Sequence, residues 1–373
     1  MRVLHVIDSL ELAGAETLVK DLALRSRNLG IQADVYVLQS SDTELKRILL
    51  EQDARVYSGP PRSVYDLRQV LSLAAHLREH RYEVVHVHLF PAQLWAALAM
   101  RYLPEPRPAL VTTEHNTENR RRRQAFRLLD KWMYNQYAAI ACISQATSDK
   151  LLKWLPELAG RTLLVGNGVD VDRFATAAKA PLGDLGVGQG PVVMCVGRFE
   201  LQKGQDVLIR AMAEVENARL VLVGDGVRHA EYAGLAESLK LSERIRFLGR
   251  RTDVAGLLKS ADVYVQPSLW EGFGIAALEA MACGLPVIAS GVPGLAEVVG
   301  DAGVLVPPDS PSKLAEALRS LLDEPDRCRQ MGALCAQRAR RFDIAQTAAK
   351  YHGLYEQVLK ARGPSSPGES LLE

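Results

Sequence analysis

EGFGIAALE, residues 271–279, carries two carboxylates eight positions apart, with two glycines around Phe273 and an apolar run behind them. The segment that precedes it, residues 262–268, is typical of a buried strand that runs into a loop. The pattern therefore predicts a strand, a glycine loop and a helix in succession. Such a unit presents backbone amides and the positive end of a helix to an anionic ligand.

The two carboxylates of this unit are Glu271 and Glu279. A carboxylate beside an anion site accepts hydrogen bonds from hydroxyl groups. A ligand that carries phosphate, a ribose and a sugar satisfies both features. We therefore interpret this segment as a site for a nucleotide sugar.

The same alternation of short apolar segments and helical periodicity continues along the chain, which predicts parallel sheets covered on both faces. Predicted strands cover residues 3–8, 33–38, 54–57, 84–89, 109–114, 138–143, 162–166, 191–197, 218–223, 245–248, 262–266, 286–289 and 303–306. Predicted helices include residues 15–29, 64–80, 117–137, 204–215, 275–283, 311–323, 326–340 and 345–361.

Two such blocks in series indicate an α/β protein with two doubly wound, Rossmann-like domains. We expect an N-terminal domain at 1–166 and a second domain, which binds the ligand, at 167–344. A last helix at 345–362 is expected to cross back to the first domain. The tail at 363–373, rich in Gly, Pro and Ser, is expected to be disordered.

Composition excludes several classes of function. The formal net charge is +1, so no global field favours nucleic acid, which we do not expect as a partner. No apolar run approaches the roughly 18 residues needed to span a bilayer. The five cysteines form no CxxC pair, which fits a reducing compartment. We therefore expect a cytoplasmic protein, with any membrane contact peripheral.

A second loop carries cations at the expected ligand edge. The strand predicted at 191–197 ends at Gly197, and Arg198 and Lys203 flank the loop before the next helix. Ligands of parallel sheets bind beyond the carboxyl ends of the strands, where these side chains can contact phosphate. Taken alone, the pair could equally be solvated surface cations. Together with the Glu271–Glu279 unit, it favours a phosphate site.

The motifs as a set resemble those of a retaining glycosyltransferase of family 4, with the GT-B fold of two Rossmann-like domains facing across a cleft. They span nearly the whole chain: Gly14-Ala15-Glu16, His115, Asn167-Gly168-Val169-Asp170, Gly197-Arg198, Lys203-Gly204, Gly224-Asp225-Gly226 and Glu271 with Glu279. One departure is Ala13, where the family commonly has a first glycine.

The resemblance implies a role for each matching position. Arg198 and Lys203 would hold the donor diphosphate, and Glu279 would bind the ribose. Glu271, with the amides of Phe273, Gly274 and Ile275, would hold the donor sugar, which His115 would also reach. The donor-binding set implied is Gly14, Arg198, Lys203, Gly224, Asp225, Arg250, Glu271, Phe273, Gly274, Ile275 and Glu279, and the catalytic set is His115, Arg198, Lys203 and Glu271.

The activity implied is transfer of a sugar, with retention, from a UDP- or GDP-linked donor to a hydroxyl. The acceptor would be a saccharide, in the favoured case lipid-linked, in bacterial exopolysaccharide, capsule or lipopolysaccharide assembly. We expect no cofactor and no metal. Two alternatives stay open: a GT-B enzyme that hydrolyses or epimerises a nucleotide sugar, and a non-catalytic subunit of a glycosyltransferase complex.

Other polar residues allow two interpretations. His86 and His88 flank Val87 near a strand end, and with His115 they could ligate zinc or line a polar cleft. Without a third ligand at motif spacing we favour the polar lining. Asp8 ends the first predicted strand, where it could position an acceptor or cap the turn that follows the strand.

A basic segment begins the helix predicted at 117–137. At 100° per residue its cations form one stripe and its apolar residues, which include Phe126, form an adjacent one. The stripe is either a solvated face or a patch that meets an anionic membrane surface at the inner face of the plasma membrane. The residues of the stripe are Arg120, Arg123, Arg127 and Lys131.

Overall fold

The computed structural model describes residues 1–60, 63–117 and 121–362. They form two compact units, each with its own parallel sheet. The first comprises Met1–Gly166 together with the last helix, and the second comprises Asn167–Asp343.

The first unit alternates strands and helices. Its elements are β1 (Arg2–Ile7), α1 (Gly14–Ser26), β2 (Gln32–Val37), α2 (Glu44–Glu51), β3 (Val56–Ser58), α3 (Arg68–His80), β4 (Val84–His88), α4 (Ala92–Ala99), β5 (Ala109–Glu114), α5 (Arg127–Tyr134), β6 (Ala139–Cys142), α6 (Gln145–Trp154) and β7 (Thr162–Leu164). The seven strands are parallel, in the order β3-β2-β1-β4-β5-β6-β7.

Helices cover both faces of this sheet and so bury its central strands on both sides. Val3 and Val84 pack with helix α1 and the last helix of the chain, whereas Leu4 and Val85 pack against α3 and α4. Continuous apolar strands are the sequence pattern of such a sheet. The register places His5 of β1 directly beside His86 of β4. The face that carries Val3 and Val84 therefore carries polar residues as well.

The second unit repeats the architecture with six strands. Its elements are α7 (Val171–Ala175), β8 (Val192–Val196), α8 (Gln205–Ala211), β9 (Arg219–Val223), α9 (His229–Ser238), β10 (Ile245–Phe247), α10 (Val254–Lys259), β11 (Val263–Gln266), α11 (Ile275–Ala282), β12 (Val287–Ser290), α12 (Pro293–Val299), β13 (Val304–Val306), α13 (Pro311–Leu322) and α14 (Pro325–Ala339). The strands are parallel, in the order β10-β9-β8-β11-β12-β13. The last helix, α15 (Ile344–Ala361), belongs to the first unit and packs on α1.

The prediction of two parallel-sheet, Rossmann-like units is confirmed. Each of the thirteen predicted strands is present, with ends within two residues of the prediction. Within the described ranges, no helix is both long and apolar enough to cross a membrane.

The helix predicted at 117–137 is wrong in its extent. A 3-10 turn at Gln124–Phe126 precedes α5, which begins only at Arg127. Arg123, immediately before that turn, is extended with φ −118° and ψ 147°. Before the helix, Arg121 pairs with Asp130 of α5 and Arg122 pairs with Glu114 of β5, and such contacts do not show in periodicity.

Candidate active site

The carboxyl edge of the second sheet gathers the residues predicted for the donor. The loop after β8 carries Arg198 and Lys203, and the loop after β11 carries Glu271. Strands β8 and β11 are neighbours, so the two loops lie side by side. The structure therefore brings together the cations and the carboxylate that the sequence placed at equivalent strand ends.

Lys203 and Glu271 form an ion pair at the centre of this edge. Lys203 Nζ lies 2.7 Å from Glu271 Oε2, and the two side chains are only 18% and 10% exposed. A lysine ammonium has three donors, so this contact leaves two for another acceptor. The pair fixes a positive charge in a partly desolvated position, where charge interactions are stronger than in water.

A chain of buried polar side chains also contacts the carboxylate, at the same Oε2 atom. Tyr264 donates to Gln266 Oε1 at 2.6 Å, and Gln266 Nε2 donates to Ser268 Oγ at 2.9 Å. Ser268 Oγ then donates to Glu271 Oε2 at 3.2 Å. The sequence analysis missed these three positions. A usable signal was present, because polar residues at every second position of a buried strand share one face.

The loop that follows Glu271 leads from β11 into α11, the succession of strand, loop and helix that the sequence predicts. Gly274 has φ +99°, and a Cβ there would lie 2.5 Å from Leu295 Cδ2, so glycine is required. It precedes the first residue of α11, Ile275, and among the described residues no side chain caps this helix end. The backbone N–H groups of the first turn therefore remain available to an anion. Phe273 is buried against Phe342.

Neighbouring strand ends complete this edge. Gly224 follows β9 with φ +133°, and a Cβ there would lie 2.1 Å from the carbonyl oxygen of Gly197. Only glycine allows the two loops to approach so closely. Asp225 Oδ1 accepts from the amide of Gly226 at 2.8 Å, which is a turn contact. Arg250, beyond β10, is exposed.

The remaining predicted residues of this unit occupy the same edge. Arg198 is 61% exposed and its Nη1 lies 3.1 Å from Glu200 Oε1, a contact that an incoming phosphate could replace. Glu279 lies in the second turn of α11 and is half-buried.

Two predicted residues lie in the first unit, at the carboxyl edge of its sheet. Gly14 begins α1 after β1 and is exposed, and His115 follows β5 directly and is half-buried. Strand β4 separates the two strands. Both residues therefore follow the carboxyl ends of strands in the same sheet.

Four histidines of this unit form a cluster next to α15: His5, His86 and His88, which are fully buried, and His115, which is half-buried. His86 contacts the hydroxyls of Tyr355 and Thr113 at 2.6 and 2.7 Å. His88 Nδ1 lies 3.1 Å from His115 Nε2, and His88 Nε2 lies 3.2 Å from His5 Nδ1. The ligand atoms of His5, His86 and His88 all lie within 4.8 Å of one another, which a metal would require. Both nitrogens of His86, however, are already engaged with hydroxyls, which fits a polar network better than a metal centre.

Asp8 caps an element of the first unit. Its Oδ1 accepts from the amide of Ala92, at the start of α4, at 3.1 Å. Burial raises the pKa of Asp8 to about 7, the Ala92 hydrogen bond opposes that shift, and the charge of Glu16 adds to it. This capping contact is with α4 and not with the turn after β1 that the sequence analysis considered.

The basic segment divides into two sets of residues. Arg121 pairs with Asp130 at 2.9 Å and covers the ring of Phe90, and Arg122 pairs with Glu114 at 3.5 Å. These cations are structural. Arg120 lies outside the described residues, whereas Arg123, Arg127 and Lys131 are exposed beside the exposed apolar residues Phe126 and Leu128.

Two family models match the chain, one in each unit. The family described as "Glycosyltransferase Family 4" matches residues 12–173, and the family described as "Glycosyl transferases group 1" matches residues 185–337. The second match contains every donor-site residue predicted in the second unit, from Arg198 to Glu279.

Curated relatives extend over the same length. The D-inositol 3-phosphate glycosyltransferase of Corynebacterium glutamicum is 28% identical over 93% of this chain and 92% of its own. A protein described in the same way from Catenulispora acidiphila is 37% identical over about half of both chains.

Solved structures show the same fold. HepE from Anabaena, in complex with UDP and glucose, has a TM-score of 0.84 at 24% identity, covering 96% of this chain and all of its own. A glycosyltransferase from Rickettsia africae has a TM-score of 0.82 at 19% identity, covering 96% of this chain and 99% of its own. The predicted GT-B fold is confirmed, and the chain belongs to glycosyltransferase family 4.

Proposed function

We propose that this glycosyltransferase moves a sugar from a nucleotide diphosphate to an acceptor hydroxyl with retention of the anomeric configuration and without a metal. The ion pair of Lys203 and Glu271 beside the open amino end of α11 carries the proposal. It combines a fixed cation, free backbone donors and an oriented carboxylate within two adjacent loops.

The leaving diphosphate develops negative charge as the bond from the sugar C1 to the phosphate oxygen breaks. Lys203, Arg198 and the amides at Gly274 and Ile275 are positioned on one edge to stabilise that charge, which is the task a metal performs elsewhere. In front-face attack, the acceptor oxygen bonds to C1 on the face that the phosphate leaves. Its proton passes to the departing phosphate oxygen, so the step needs no enzyme nucleophile.

The acceptor we favour is a saccharide, lipid-linked, as in exopolysaccharide, capsule or lipopolysaccharide assembly. Peripheral contact with an anionic membrane on the cytoplasmic side is supported by a surface on which basic and apolar side chains lie together. Its exposed residues are Arg123, Phe126, Arg127, Leu128 and Lys131.

A second acceptor follows from the curated relatives. Several are named for D-inositol 3-phosphate, and one of them matches 93% of this chain. An inositol phosphate is therefore the competing candidate. It would require no membrane.

The test is a transfer assay with UDP-glucose and GDP-linked sugars, run in EDTA, with undecaprenyl-linked saccharides and inositol phosphate as separate acceptors. We expect product with one donor, and an anomeric carbon of unchanged configuration by NMR. Glu271→Gln should abolish transfer, whereas Glu237→Gln on the exposed face of α9 should not.

The outcomes separate the alternatives. Free sugar or an epimerised donor without any acceptor product would identify the hydrolase or epimerase. Absence of turnover by a folded protein that binds donor would favour the non-catalytic subunit. Strict dependence on a divalent cation, or an inverted product, would refute the mechanism proposed here.

A further inference from the structure

The cluster of histidines contains a continuous chain of three imidazoles that ends at His115. His115 Nε2 contacts His88 Nδ1 at 3.1 Å, and His88 Nε2 contacts His5 Nδ1 at 3.2 Å. His5 and His88 are fully buried, and His115 is the member that reaches the surface. We call this set the histidine chain.

The far end of the chain restricts how protons are distributed along it. His5 Nε2 is buried and has no hydrogen-bond partner among the described residues. A buried N–H without an acceptor is rarer in proteins than an acceptor left unused. The proton of His5 is therefore placed on Nδ1, from which it can be donated to His88.

Each further step follows from the chemistry of a neutral imidazole, which carries one N–H and one acceptor nitrogen. His88 accepts at Nε2, so its own proton is on Nδ1 and is donated to His115 Nε2. His115 accepts there, so its proton is on Nδ1. Burial keeps the rings neutral, since it lowers the pKa of His5 to about 3 and that of His88 well below its usual value.

We propose that His5 and His88 are positioning residues that fix His115 as the Nδ1–H tautomer, so that it acts as a hydrogen-bond donor to a ligand oxygen and not as a general base. The part of this inference that gives His115 a ligand rests on the proposed function. The tautomer itself does not, because it is set by contacts inside the first unit.

The first experiment measures the tautomer in the ligand-free protein. A long-range 1H–15N correlation spectrum of the full chain, assigned with His115→Gln, distinguishes a protonated from an unprotonated ring nitrogen. We expect His115 to carry its proton on Nδ1. A proton on Nε2 would overturn the proposal, and so would stoichiometric zinc in elemental analysis of the purified protein.

Variants then separate orientation from packing. His88→Leu removes the donor to His115, and we expect the Nε2–H form of His115 to appear. We expect turnover to fall roughly tenfold or more, by analogy with the loss of an outer partner of a metal-ligating imidazole. His88→Asn places an amide N–H where Nδ1 was, so it should restore the tautomer and most of the turnover. At position 5, His5→Asn should likewise keep the Nδ1–H tautomer of His115 and most of the turnover that His5→Leu loses.

The proposal is refuted if the Asn and Leu variants have the same tautomer and the same turnover while both are folded by circular dichroism. The histidine chain would then act only through packing. If the Leu variants do not fold, the wild-type spectrum and the two Asn variants still decide it. An Nδ1–H tautomer in a protein that turns over no donor would leave the positioning role intact and refute the proposed function alone.

Discussion

Lys203 is the residue whose substitution should most readily lower activity. Its ammonium lies 2.7 Å from Glu271 Oε2 and keeps two donors for the leaving diphosphate. We expect Lys203→Ala to lower kcat roughly 10²-fold or more, the scale for loss of one preorganised charge-stabilising donor. Steady-state kinetics with saturating donor measures this.

The matched control is Lys313→Ala, a lysine of α13 that is 64% exposed and should leave kcat unchanged. Full activity of Lys203→Ala would show that Lys203 is not part of the active site.

Asp8 should make the stability of the protein depend on pH. Its pKa is raised from 3.8 to about 7, so between these values the folded chain holds a proton that the unfolded chain has released. Stability from this group therefore falls as pH rises from about 4 to about 7. Asp8→Asn keeps an acceptor for the Ala92 amide, and we expect it to raise Tm at pH 8 but not at pH 4.

The measurement is a thermal melt of both proteins across this pH range. An Asp8→Asn increment that is the same at every pH would show that the carboxyl does not titrate in this window.

At the residue scale, the sequence predicted the charged site residues but not what holds them. Glu271 and Lys203 were identified because their motifs lie at strand ends. Tyr264, Gln266 and Ser268 were missed. Their spacing of two puts them on one face, but spacing alone does not show that their side chains bond in series to Glu271. The histidine chain likewise depends on the register of β1 against β4, which no local pattern specifies.

At the element scale, strands were predictable because burial on both faces leaves a continuous apolar segment. The start of helix α5 was not, because residues 121–126 fit the helical period but precede the helix, which begins at Arg127. In this segment Arg121 pairs with Asp130 and Arg122 with Glu114. The three described members of the stripe predicted from the sequence, Arg123, Arg127 and Lys131, are all exposed.

The exposed basic surface formed by α5 and the residues just before it should bind anionic membranes. Replacing Arg123, Arg127 and Lys131 with Gln removes three charges, each worth about 1 kcal/mol near an anionic surface. We expect co-sedimentation with liposomes containing phosphatidylglycerol to fall sharply, with hydrolysis or transfer of soluble substrates unchanged. Leu128→Ser, at an 81% exposed position, should weaken binding as well.

The control makes the same change of charge on the second unit, with Lys313, Arg327 and Arg329 replaced by Gln at exposed positions. If the two triple variants lose binding equally, net charge is responsible and the face is not specific. If neither loses binding, α5 carries only a solvated face.

For the whole molecule, donor binding should be visible as stabilisation of the second unit. Arg198, Lys203, Glu271 and Glu279 all lie in Asn167–Asp343, which has a sheet and a core of its own. A ligand at a hundred times its Kd stabilises the folded state by about 2.7 kcal/mol. For a unit of this size that corresponds to a rise in Tm of several degrees.

We therefore expect one nucleotide class among UDP-, GDP- and ADP-sugars to raise Tm selectively, without added metal. Glu279→Ala should lose most of the shift, because its carboxylate is the proposed partner of the ribose hydroxyls, whereas Glu237→Ala should retain it. A shift that persists in Glu279→Ala but disappears in Lys203→Ala would place the diphosphate and not the ribose at this edge. No shift with any donor, in a folded protein that still sediments with liposomes, would mean that the donor site needs a membrane-bound acceptor or a partner before it binds.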